Sequence, residues 1–232
     1  MFMTQVLSYN DLIKEVSYHF TQMKGKGTKE HPYQITNVYQ LQSIRKALNA
    51  HYILSNNISA EETKYWEHNF IPIGINKPFT GSLNGNGHTI SNIFINQNEN
   101  RTGLFSVIDN EGLVHDLHMD SMIIYGYSDI GGIVGWNKFG YISDVIVENT
   151  RIKGKEMVGG ICGVNSTDSV VKNSNFKKSF VCGEMSVGGF IGNNNGYLFH
   201  NKPNNNDISV LGESNLGLYV GKNNGVIKSH QE

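Results

Sequence analysis

The chain has 232 residues, 38% hydrophobic and 17% charged, with 26 glycines and only 4 prolines. That length fits one domain with at most a small appendage, and this glycine content without proline argues against collagen and proline-rich linkers. Formal net charge is -1, from 19 basic and 20 acidic side chains. Neither a basic nucleic-acid clamp nor a highly acidic DNA mimic fits that balance, so no nucleic acid is expected as partner.

The first residues, MFMTQVLSYNDLIKEVSYHF, lack a basic stretch, a continuous apolar run and a small-residue cleavage site. They do not read as a secretory signal, so the expected location is cytoplasmic, or the cell surface if a leader has been trimmed. No window of about 18 apolar residues exists, so no membrane span is expected. Residues 10–23 predict a helix with Asn10 as N-cap and Leu12, Ile13, Val16 and Phe20 on one face. It either extends a cap or docks a partner. KGKGTK (24–29) reads as a linker, giving a first segment 1–29. A second helix is expected from Asn37, with Gln40 completing a capping-box-like pair and Leu41, Ile44, Ala47 and Leu48 facing inward. Tyr52-Ile53-Leu54 reads as the first strand, so 30–78 is expected to cap the remainder of the chain.

From residue 79 onward the chain repeats. Ser106, Gly135, Gly163, Gly192 and Gly221 occupy one slot at steps of 29, 28, 29 and 29 residues. Asn137, Asn165, Asn194 and Asn223 follow each glycine by two. A third column runs Asp116, Asp144, Asn173 and Asn201, with Asn92 as a possible start. Constant-period Asx columns suit a parallel β-solenoid, whose coils stack about 4.8 Å apart and bring equivalent residues over one another. The asparagines would bond along the column and lock turns, and the glycines would mark bends needing positive φ or close backbone approach. Short runs such as Val145-Ile146-Val147 read as strands. The predicted fold is therefore all-β: a parallel β-solenoid (β-helix) over 79–232, of roughly five to six coils of 28–29 residues, with a small N-terminal helical cap. The last repeat, LYVGKNNGVIKSHQE, carries no capping helix. A partner, or a second copy forming a homodimer, is expected to cover that coil.

Gly103-Leu104-Phe105-Ser106, Gly132-Ile133-Val134-Gly135, Gly160-Ile161-Cys162-Gly163 and Gly189-Phe190-Ile191-Gly192 resemble the GLUG motif family. The likeness extends over about 30–232, including HPYQITNVYQLQSIRKALNAHYILSNNI and FTGSLNGNGHTISNIFI. The resemblance implies a β-solenoid scaffold found in bacterial surface, adhesin-like and immunoglobulin A-cleaving proteins, and no activity by itself. The peptidase relatives carry a zinc-binding HExxH motif, which this sequence lacks. With no signal peptide read, a cytoplasmic effector or a phage-encoded inhibitor of a host protein complex also fits.

In register, Asp116 aligns with Asp144 and Asp120 with Glu148. Carboxylates one coil apart lie roughly 5 Å from each other, the separation in retaining glycosidases, and repulsion would raise one pKa. These four residues are the alternative catalytic set, for a carbohydrate-active or carbohydrate-binding solenoid. The other readings are an acidic recognition patch at Asp120 and Glu148, turn locking by Asp116 and Asp144, or solvated side chains, with Lys177 paired to Glu148. Trp136, Phe139 and Tyr141, with Tyr125 and Tyr127 near, are candidate recognition aromatics or corner packing. His115 and His118 would point opposite ways on one strand, GNGHTI (85–90) reads as a tight turn, and Cys162 reads as core. No metal site, cofactor or nucleophile elbow is read. The leading expectation is a non-enzymatic module that binds another protein.

Overall fold

The structure, a computed structural model, describes residues 6–199, 201 and 207–228. Residues 229–232 of the last repeat lie outside the described residues. The chain winds as a parallel β-solenoid of about six coils behind a short helical cap. One full coil shows the plan: Leu113–His115, His118–Asp120, Ile123–Tyr125, Ser128–Ile130 and Val134–Asn137 form five short strands. Stacking gives five parallel sheets, here called face 1 to face 5 in that order. Along face 1, for example, Leu83, Val114, Ile142, Val171 and Leu198 lie in register, and all are fully buried. Three-residue strands with a buried centre and half-exposed flanks put one apolar residue inward per strand, the expected alternation of a half-buried strand. Columns Ile90–Met119–Val147–Phe176 on face 2 and Ile95–Ile124–Ile152–Val181 on face 3 complete a continuous core.

Face 1 begins before the repeats become legible. Tyr33–Ile35 pairs with His51–Leu54, which pairs with Ser82–Asn84. The first strand is therefore 33–35, one strand earlier than Tyr52-Ile53-Leu54. Residues 24–29 are tied to it: the Gln34 N–H donates to Lys24 O, and the His51 N–H donates to Gly27 O.

The cap differs from the sequence expectation in two details. Helix α1 spans Tyr9–Thr21, and its N-cap is Ser8, not Asn10. Ser8 Oγ accepts from the Asp11 N–H and donates to Asp11 Oδ2, a reciprocal pair that Asn10 has no acidic partner to make. Leu12 and Val16 of α1 are buried in the common core, so α1 extends the cap. Helix α2 spans Val38–Ser43 with Asn37 as N-cap; Asn37 Oδ1 accepts from the Gln40 N–H, and Gln40 Oε1 accepts from the Thr36 N–H. A single 3-10 turn over Ile44–Lys46 follows, leaving Ala47 and Leu48 outside the helix.

At the other end the core opens. Leu216 is 51% exposed and Ile227 41%, whereas their in-register neighbours Val187 and Leu198 are fully buried.

Candidate functional site

Three corners of the coil decide where functional side chains point. The glycine slot borders the first. At Gly135, Gly163, Gly192 and Gly221 an added Cβ would lie 2.4, 2.4, 2.4 and 2.5 Å from the backbone of Arg101, Asp129, Met157 and Ser186. Those four residues all have positive φ, while none of the four glycines does. Close approach therefore dictates this glycine column. Behind it runs an asparagine ladder. Asn137 Nδ2 donates to Asn165 Oδ1 at 2.9 Å, Asn165 Nδ2 to Asn194 Oδ1 at 2.9 Å, and Asn194 Nδ2 to Asn223 Oδ1 at 2.7 Å. Asn137, Asn165 and Asn194 are fully buried, so the column locks turns and presents nothing to a ligand. The ladder ends where the residue stacked on Asn137 is Ile108, and Asn137 Oδ1 has no hydrogen-bond partner.

The Asp116 and Asp144 corner is a turn. Both adopt left-handed backbone, at φ 52° and 56°, as does Asn173 at 49°. Short polar side chains tolerate that conformation best. Asp116 Oδ2 lies 2.6 Å from His115 Nδ1. Asn92 does not start this column. It belongs to the next corner, with Ser121, Asn149 and Lys178, all with positive φ; Gly85 is the residue stacked on Asp116. The 24-residue step from Asn92 crosses from one corner to another.

Asp120 and Glu148 are in register on face 2, and Glu148 is in register with Lys177. The Glu148 oxygens face different partners: Oε1 lies 2.8 Å from His118 Nε2, out of line for a good hydrogen bond, and Oε2 lies 3.2 Å from Lys177 Nζ. His118 Nδ1 lies 3.2 Å from Thr89 Oγ1 on the preceding coil. Asp120 Oδ1 accepts from Asn149 Nδ2 at 2.7 Å. The sequence reading found the Lys177 pair but missed His118, because the turn at Asp116 carries His115 onto face 1 and His118 onto face 2.

The aromatics divide. Trp136 is half-buried: Nε1 donates to Ser166 Oγ at 2.7 Å, and the Arg101 guanidinium covers the ring at 4.4 Å. Phe139 is 47% exposed and Tyr141 40%. Tyr141 belongs to an outward column of face 1, in register with Leu113 and Val170, and onward to Tyr197 and Val226. GNGHTI forms a tight turn in which Asn84 Oδ1 accepts from the Asn86 N–H and Asn86 and Gly87 have positive φ. Cys162 is fully buried, and burial pushes its thiol well above the ordinary range. Among the described residues no cluster of His, Cys, Asp and Glu could hold a metal ion, and no helix is long and apolar enough to cross a membrane.

The fold defines a parallel β-solenoid repeat protein. Halomucin of Haloquadratum walsbyi is 34% identical over 163 residues, covering 65% of this chain and 2% of its own length. A protein of Evansella cellulosilytica named "Putative Gly-rich membrane protein" is 33% identical over 189 residues, covering 64% of this chain and 21% of its own length. The chain thus spans only a small part of the curated relatives it matches. No protein-family model matches the chain. Among solved structures, a "putative immunoglobulin A1 protease" from Bacteroides ovatus superposes with a TM-score of 0.67 at 19% identity, over 88% of this chain and 66% of that one. At that identity the likeness shows the fold: a β-solenoid.

Proposed function

We propose that this chain is a non-enzymatic, GLUG-type β-solenoid that recognises another protein through the outer surface of face 1. The observation that carries the reading is the apolar column centred on Tyr141, with Phe139 exposed beside it. Aromatic side chains on a rigid, flat sheet bury large areas at little entropic cost. Asp120 and Glu148 lie on face 2, outside that surface. Their carboxylates are engaged by Asn149, His118 and Lys177, which speaks for a structural role over glycan cleavage. The name of the Evansella relative places that protein at a membrane and favours an adhesin-like surface setting over a cytoplasmic effector.

The deciding experiment is affinity purification of the tagged protein from its native host, beside the double variant Phe139→Ser/Tyr141→Ser and the double variant Asp120→Asn/Glu148→Gln. One stoichiometric protein, lost with the first variant and kept with the second, is the expected result. A partner retained by the aromatic variant, or none for a folded protein, refutes the reading.

A further inference from the structure

Face 3 carries a second surface, chemically unlike face 1. Its outward residues are set by register: Ile123 stacks on Arg151 and then Phe180, and Tyr125 stacks on Lys153. Tyr125, Arg151, Lys153 and Phe180, with Tyr127 and Lys155 at the adjoining bend, line a groove of about 610 Å³ spanning three coils. That volume lies within the range of small-ligand sites. The Arg151 guanidinium sits 5.7 Å from the Phe180 ring centre, and Lys155 Nζ sits 5.5 Å from the Tyr127 ring centre. Lys155 is partly neutralised, with Glu184 at 3.9 Å. Arg151 and Lys153 are exposed and, among the described residues, have no carboxylate within 4 Å.

We propose that this groove binds an acidic polysaccharide, a chain of uronate sugars. The carboxylate would sit on Arg151 and Lys153, where a guanidinium offers a two-pronged match to carboxylate geometry. Tyr125 and Phe180 lie on strands two coils apart, roughly 10 Å by stacking distance, and flank the strand that carries Arg151 and Lys153, offering aromatic surface to a sugar on either side of the cations. Charge placement selects the ligand class. The cations all come from one coil: the outward residues in register with Arg151 and Lys153 are Ile123 and Tyr125 on one side, Phe180 and Cys182 on the other. A nucleic acid draws most of its affinity from a succession of phosphate contacts, and two uncommitted cations on one coil make a poor track for it. A glycan with one carboxylate per sugar and apolar ring faces needs what the groove offers.

The test is calorimetric titration of the full chain with a short oligogalacturonate, its methyl ester, and a single-stranded oligonucleotide of similar length. Saturable binding to the free acid, weakened by salt and absent for the ester, is expected. Arg151→Gln and Lys153→Gln should each weaken it about tenfold, the scale of one charge-assisted hydrogen bond. Both side chains are exposed, so thermal melting should match wild type; Tyr125→Ala provides an uncharged probe of the same groove. Lys172→Gln on face 1 should leave binding unchanged. Equal affinity for the ester, indifference to both charge variants, or tighter binding of the oligonucleotide each overturns the proposal.

Discussion

Asn165→Ala probes the element that most distinguishes this solenoid. Asn165 is fully buried, accepts from Asn137 and donates to Asn194. Removing its amide deletes two hydrogen bonds, each worth a net ~1 kcal/mol. It also orphans Asn194 Oδ1, since Asn194 keeps only its donor contacts to Gly196 O and Asn223; a buried unpaired acceptor costs ~1–3 kcal/mol. Asn137 loses less, because its Nδ2 still donates to Gly140 O at 3.1 Å. The expected loss is about 4 kcal/mol. For a chain of this size, that lowers Tm by roughly 8–16 °C. Asn223→Ala is the matched control. Asn223 is exposed at the open end of the ladder and should cost below about 1 kcal/mol. Thermal melts followed by circular dichroism compare the two. Asn165→Asp sharpens the logic: it keeps the shape and can accept from Asn137, but presents an oxygen to Asn194 Oδ1. It should therefore be worse than alanine at neutral pH. If Asn165→Ala melts with Asn223→Ala, the ladder merely accompanies the fold and the reasoning fails.

Two further outcomes rest on corner geometry. Gly163→Ala drives a Cβ to 2.4 Å from Asp129 and Ile130 backbone, where nothing flexible can yield; about 3 kcal/mol is expected, the upper end of ordinary overpacking. Gly87→Ala meets no atom within 4 Å but must hold φ near +72°, which costs about 1–2 kcal/mol. A larger loss at Gly87 in urea unfolding would show that backbone angle, not close approach, rules these glycines. Asp129 has its carboxyl pushed up by burial, against the lowering effects of Ser128 and Arg101. A raised acid favours the fold below its ordinary pKa and loses that contribution as pH rises through the folded value. Asp129→Asn, which also suits φ 58°, should therefore raise Tm at pH 7, and the gain should shrink as the pH falls through the raised folded value and be gone below about pH 4. A lower Tm at pH 7 would mean that the Arg101 contact at 3.9 Å outweighs burial.

Period, strands, glycine slot and asparagine column were all legible because they are one interaction written repeatedly. In a parallel in-register stack, residue n touches residue n+28 or n+29, so a sequence column is a physical contact, as Asn165 and Asn194 show. Corner identity was less legible. Asn92 and Asp116 are both short polar residues in left-handed turns, and only strand pairing shows that they occupy different corners. The Ser8 cap was hidden by Asn10, an equally good capping residue two positions on. The face 3 groove was hidden for another reason. Tyr125, Lys153 and Phe180 are separated by about a coil of sequence, and chemically unlike residues in register leave no column to notice.

That last difference bears on how the molecule carries function. The stack fixes its core through inward residues: Ile142 below face 1, Ile152 below face 3, both fully buried. The neighbours of each point outward, Tyr141 on one face and Arg151 with Lys153 on the other. Outward side chains of a solenoid contact mainly the coils above and below, so stability is close to a sum of coil terms and neighbour interfaces. The surface of one face can then change without disturbing another. Two sites separated by a rigid core with no shared side chain should act additively. A Phe139→Ser/Tyr141→Ser variant should therefore keep its full oligogalacturonate affinity, and Arg151→Gln should still capture the protein partner. Loss of both by either change would mean that the faces share one ligand, and that the solenoid is a single wrapped surface, not a scaffold with separate sides.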